Sequence, residues 1–110
     1  MNINIENLRL NMKLIDDKNR TERALFTLCI DFVKIKGFRV MTGSYANPYG
    51  DKLWIAVPAY REKTGKFHNM FFCENKDFWK QIEKKIWKEF YKLRGDEKKN
   101  EEQDFEKINF

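Results

Sequence analysis

The sequence predicts an α+β domain: an antiparallel β-sheet of about five strands, running as a meander, with one C-terminal amphipathic helix packed on or beside it. Three observations carry this expectation. Apolar and polar residues alternate with period two over long N-terminal stretches, as half-buried strands require. One stretch near the C-terminus has helical spacing instead. The links between strands are short and rich in turn formers, which suits a meander and not βαβ units.

Leu8, Leu10, Met12 and Leu14 alternate with polar residues and form the first strand. Ile3 and Ile5 have the opposite parity, so a bulge or break is expected near Glu6-Asn7. Asp16 to Arg20 is a turn by composition. Ala24, Phe26, Leu28, Ile30 and Phe32 define a second long strand, with Asp31 inside it and facing a partner such as Arg39 on the next one. Arg9 on the first strand has the same choice between pairing and a site. Lys36-Gly37 breaks the pattern, and Phe38 to Met41 resumes it as a third strand. Ser44 to Asp51 holds Asn47-Pro48 and Tyr49-Gly50, two turn signals, and reads as a loop. Leu53 to Val57 is apolar throughout, too short for a helix, and reads as a strand covered on both faces. Pro58 cannot donate to a ladder and closes it. Phe67 to Phe72 starts the fifth strand after a turn at Thr64-Gly65. The helix runs from about Lys76 to Leu93, with Asn75 as its N-cap, Asp77 in its first turn and Gly95 at its end. Trp79, Ile82, Ile86, Phe90 and Leu93 form its apolar stripe, widened by Phe78 and Trp87.

Between the fourth and fifth strands lie Arg61, Lys63 and Lys66 against one acid, Glu62. A buried strand thus delivers a small basic hairpin to the surface, where it can meet a polyanion or simply be solvated. The order of motifs around it is specific. Leu28-Cys-Ile-Asp-Phe-Val33, Phe38-Arg-Val-Met-Thr-Gly43, Leu53-Trp-Ile-Ala-Val-Pro58, then Arg61, Gly65 and Phe67 resemble the stage V sporulation protein G (SpoVG) family. The resemblance starts at Ile5-Glu-Asn-Leu-Arg-Leu10 and extends to the helix end near Leu93. It implies a small antiparallel β domain with a C-terminal helix, homodimeric, binding DNA or RNA as a regulator. Of the family's basic patch, Arg61 carries over; Ala59 and Tyr60 stand where the family has a small polar residue and a lysine.

A chain of 110 residues makes one domain with one modest core, here built from ten Phe, three Trp and four Tyr. The expected division is residues 1–95 as the domain and 96–110 as an acidic, disordered tail. The net charge of +5 hides an asymmetry, because the tail holds six acids and three lysines, leaving 19 basic and 11 acidic residues in the first 95. Such a body suits a phosphate backbone, although lysine excess also follows from biased composition. The tail could compete with phosphate for the helix lysines or merely aid solubility; Phe105, Ile108 and Phe110 could pin it to an apolar patch. No apolar run approaches the roughly 20 residues that span a bilayer, and the N-terminus lacks a signal-peptide layout. A cytoplasmic protein with Cys29 and Cys73 reduced is therefore expected.

One helix face repeats lysine every four residues, Lys80, Lys84, Lys88 and Lys92, with Lys85 beside them. Like charges at this spacing each cost roughly 0.2 to 0.5 kcal/mol, so helix stability alone would not select the row. It reads as a ridge that follows phosphates or as a solvated outer face. Tyr91 borders it and can stack on a base or sit half-buried. Catalysis finds no serine–histidine–acid order, no phosphate loop and no paired carboxylates in apolar surroundings, and His68 reads as structural or idle, or else as a phosphate contact. Lone His68 and two separated cysteines lack zinc spacing. The expectation is a non-enzymatic, cofactor-free and metal-free homodimer with no membrane or small-molecule partner. It would bind DNA or RNA through Arg61, Lys63, Lys66, Lys80, Lys84 and Lys88. The alternative is a protein-interaction module that docks through Tyr45, Tyr49 and Tyr60.

Overall fold

The computed structural model describes residues 4–95, so the acidic segment expected to be a tail lies outside the described residues. After a 3-10 turn at Ile5–Asn7, four antiparallel strands follow in sequence order: β1 (Leu8–Leu14), β2 (Glu22–Ile30), β3 (Val33–Thr42) and β4 (Leu53–Ala56). A separate two-stranded hairpin, β5 (Ala59–Arg61) and β6 (Phe67–Asn69), precedes the helix α1 (Lys76–Arg94). The fold is the expected α+β, with the meander shortened to four strands and the fifth transferred to the hairpin. The break foreseen near Glu6-Asn7 is the 3-10 turn, opened by the Asn4 side chain, which accepts from the Glu6 N–H at 3.0 Å.

Cross-strand register explains how one sheet face becomes apolar. Leu10 faces Leu28, Met12 faces Phe26, Phe26 faces Phe38 and Val40 faces Ile55, all on the side that meets the helix residues Ile82, Ile86 and Phe90. Keeping that face continuous requires two irregularities. One falls between Phe26 and Leu28 of β2, where β3 passes an extra residue at Lys36-Gly37 with Gly37 at φ 101°. The expected break at Lys36-Gly37 is therefore a bulge inside β3, since glycine accepts the positive φ without interrupting the ladder.

The reversal comes earlier, at Asp31-Phe32, where Ile30 pairs with Val33 and Asp31 has φ 52°. Aspartate tolerates this left-handed conformation better than most residues. This corrects two expectations: Asp31 is a turn residue and does not face Arg39, and Phe32 lies at the exposed tip of the hairpin. Arg9 instead donates from Nη2 to the Asp31 carbonyl at 3.2 Å, which secures that turn.

The strand at Leu53 also departs from expectation. β4 is the edge of the sheet, ends at Ala56, and is covered only in part on its outer face: Ala56 is buried there, but Trp54 is 49% exposed. An unbroken apolar run signals double coverage in general, but here Trp54 and Ala56 share the parity of Arg39 and Met41, away from the helix.

The helix begins and ends as its sequence dictates. The Asn75 side chain accepts from the Phe78 N–H at 3.0 Å, and Gly95 closes the last turn at φ 89°, its N–H donating to the Lys92 carbonyl at 3.1 Å. The buried stripe is rotated from the expected one. Ile82, Ile86 and Phe90 are buried, joined by Trp87 and Tyr91, while Trp79 is half-buried and Leu93 exposed. The cause is the loop between β3 and β4, which folds over that flank: Tyr49 packs on Tyr91 at 4.5 Å between ring centroids. Tyr91 donates its hydroxyl to Asp51 Oδ2 at 2.5 Å and accepts from Asn47 Nδ2 at 2.9 Å. Burial in the first place, and the neighbouring Asp51 carboxylate, push its ionisation well above the usual tyrosine range. Tyr91 is thus a buried structural residue and cannot stack on a base.

Lys85 has a structural task as well. Its Nζ donates to the carbonyls of Ile5 at 2.7 Å and Leu8 at 3.0 Å, tying the helix to the start of the chain. Both cysteines are free, Cys29 buried and Cys73 only half-buried, the latter with its thiol donating to the Asn75 carbonyl at 3.4 Å. Among the described residues, no helix is long and apolar enough to cross a membrane, and no group of three or more His, Cys, Asp and Glu could hold a metal ion.

Candidate nucleic-acid interface

The β5–β6 hairpin is built to hold its cations out. Tyr60 pairs with His68 and Arg61 with Phe67 across the strands. The turn is closed by the Glu62 N–H donating to the Lys66 carbonyl at 2.8 Å and the Gly65 N–H donating to the Glu62 carbonyl at 2.9 Å, with Gly65 at φ 92°. A side chain at Gly65 would be strained there, which is why the turn signal in the sequence is sound. Arg61, Lys63 and Lys66 are all exposed. Arg61 lies with its guanidinium 5.7 Å from the centroid of Phe67, a cation–π arrangement that fixes its direction.

The single acid of the turn is already engaged. Glu62 Oε2 accepts from Thr64 Oγ1 at 3.1 Å, and Oε1 lies 2.5 Å from His68 Nε2. That second contact is close in distance but misaligned as a hydrogen bond, so Nε2 has no well-directed acceptor. His68 also stacks on Tyr60 with centroids 5.1 Å apart and planes inclined by 20°, so it is a working part of the hairpin and not idle.

The helix lysines are arranged less uniformly than their spacing suggests. Lys80 and Lys84 are half-buried, whereas Lys88 and Lys92 are exposed. Lys80 lies close enough to Glu83 to oppose the effect of burial, which raises the Glu83 carboxyl above its ordinary range. Among the described residues no salt bridge holds Arg61, Lys63, Lys66, Lys80 or Lys84.

The start of the helix reaches the chain just after the hairpin. The helix packs on β1 and the 3-10 turn, and its link to the hairpin side is Trp79, whose ring lies 5.7 Å from that of Phe71. Arg61, Lys63 and Lys66 stand at the opposite, turn end of the hairpin and Lys80, Lys84 and Lys88 along the helix, so the six cations form two groups.

The tyrosine set of the alternative reading does not hold together. Tyr45 and Tyr60 are exposed, but Tyr49 is 5% exposed and belongs to the core. What the sequence did not reveal is an apolar groove of about 600 Å³ between β4 and the hairpin, with Trp54, Phe67 and Phe72 exposed along it and Arg39 in its wall. The unbroken apolar run from Leu53 to Val57 hides the exposure of Trp54 from a reading of the sequence. No family model matches this chain, and no curated protein matches it.

Proposed function

We propose that this chain is a nucleic-acid-binding regulatory or accessory protein, similar in kind to the SpoVG family, that works in the cytoplasm as a homodimer without catalysis. Phosphates meet Arg61, Lys63 and Lys66 at the β5–β6 turn and Lys80, Lys84 and Lys88 on the helix. The observation that carries this reading is the state of the turn: three exposed cations, with its only acid hydrogen-bonded by Thr64 and lying against His68. Contacts of this kind position a protein on nucleic acid without reading its sequence.

The test is fluorescence anisotropy with labelled duplex DNA, single-stranded DNA and RNA over a range of salt concentrations. Log affinity is expected to fall with log salt, by about 0.9 per duplex phosphate neutralised or about 0.7 per single-strand phosphate. Tight binding that ignores salt would sink the proposal. For the assembly, a two-fold dimer would set two copies of each basic element on one particle and raise avidity where both reach the same strand. Light scattering at tens of micromolar should give twice the 13.4 kDa of one chain; the mass of a single chain would remove the dimer from the proposal.

A further inference from the structure

We propose that the groove between β4 and the β5–β6 hairpin seats unstacked bases of single-stranded nucleic acid, with Trp54 and Phe67 as the stacking faces. This rests on the phosphate-binding reading and names the class of nucleic acid that the same surface prefers.

Trp54 is held in place while half of it faces solvent. Its Nε1–H donates to the Thr42 carbonyl at 3.0 Å, and its ring lies against Gly43, where an added Cβ would come within 2.6 Å of Cδ1. A glycine is therefore required at 43 by close approach, since a Cβ there would push the indole away. Side chains that merely await solvent are not normally fixed by both a hydrogen bond and a missing Cβ. Fixing the ring removes the ordering cost that a mobile tryptophan would incur on stacking. Across the groove, Phe67 is 64% exposed and carries the Arg61 guanidinium beside its ring. Phe72, 76% exposed, borders the same space.

The groove, at about 600 Å³, falls within the roughly 300 to 1,000 Å³ of ordinary ligand sites. Charge selects the occupant. Arg39 is part of the wall, Arg61 lies against Phe67, and Lys63 and Lys66 extend from the adjoining turn, so aromatic faces alternate with cations. That combination suits a strand whose bases stack while its phosphates pair with arginine and lysine. A duplex keeps its bases in the stack and would have to flip one out to use the groove, which is costly. A second copy of this chain placed across the groove on a two-fold axis would bring the arginines of both copies together, an unfavourable approach of like charges.

The experiment uses the full chain and three labelled probes of about 15 nucleotides, within the range of strand lengths that one small domain occupies. They are an oligothymidylate, an abasic strand of the same backbone, and a duplex. At one low salt concentration the oligothymidylate should bind about ten-fold or more tightly than the abasic strand, with quenching of tryptophan fluorescence. Trp54→Ala and Gly43→Ala should each reduce that ratio while affinity for the abasic strand stays the same, Phe67→Ala should reduce it with some loss on both strands because Arg61 loses the ring it lies against, and Trp54→Phe should keep most of it. Thermal melts by circular dichroism establish that each variant is folded; Phe67→Ala, at an exposed position, serves if Trp54→Ala is not. Equal affinity for base-bearing and abasic strands would overturn the groove and leave the phosphate reading intact. Absence of salt-dependent binding to any probe would overturn both. Loss of dimer mass in Trp54→Ala, with the base preference, would assign the groove to a second copy and overturn the proposal.

Discussion

Phe38→Ala should lower the unfolding free energy by about 3 to 5 kcal/mol, the range for a phenylalanine removed from a packed core. Phe38 is fully buried and stands where three parts of the molecule meet. Its ring stacks on Phe26 of β2 with centroids 5.1 Å apart, and meets the edge of Phe71 at 5.0 Å. Phe71 in turn contacts Trp79 at the start of the helix. The position of Phe38 depends on Gly37, because the bulge sets it opposite Phe26 and keeps β3 in phase with the core. A domain of this size has about 5 to 15 kcal/mol of stability in all, so the alanine variant should be close to unfolding at physiological temperature. Urea titration followed by circular dichroism measures the loss, with Phe38→Leu as the control that keeps most of the volume. A loss below about 1 kcal/mol would mean that the surrounding rings close over the space, and that Phe38 is not the junction described here.

How far such a structure is legible in sequence depends on the range of the forces involved. β1, the body of β2 and the whole of α1 follow from local rules: period-two alternation, an asparagine cap, a glycine in the left-handed region. Gly37 and Asp31 show the limit. Glycine after lysine looks like a turn, and aspartate between two apolar residues looks like part of a strand. Which of them reverses the chain is decided by pairing with β2 some residues away, and the pairing puts the turn at Asp31. The lysines make the same point for the site. Lys84 and Lys85 are indistinguishable as residues, but only Lys85 reaches the carbonyls of Ile5 and Leu8. Tyr91 looks amphipathic on the helical wheel, and only the loop carrying Asn47, Tyr49 and Asp51 turns it into a core residue. Edge or centre is likewise not a local property, and so Trp54 could not be recognised as an exposed ring in advance.

Glutamine at Arg61, Lys63 and Lys66, and separately at Lys80, Lys84 and Lys88, should each flatten the salt dependence of single-strand binding by about 2, as three phosphate contacts at about 0.7 apiece require. Combining the two sets should weaken binding at low salt on the order of a thousand-fold, because most of the affinity for a charged strand is supplied by such contacts. Glutamine keeps the side-chain stems that cover apolar surface, so the fold should persist, which a thermal melt verifies. The two sets need not be equal. The start of the helix is tied to the chain after β6 by the Phe71–Trp79 contact, and Lys88 lies about 12 Å further along the axis than Lys80. A strand that leaves the hairpin and follows the helix meets Lys80 first, so single replacements should lose affinity in the order Lys80, Lys84, Lys88. That gradient is the signature of one continuous path. An unchanged slope in the helix variant, beside a flattened one in the hairpin variant, would confine the contact to the β5–β6 turn. The lysine row would then be a solvated outer face that tolerates its mutual repulsion, a cost of only a few tenths of a kcal/mol per pair.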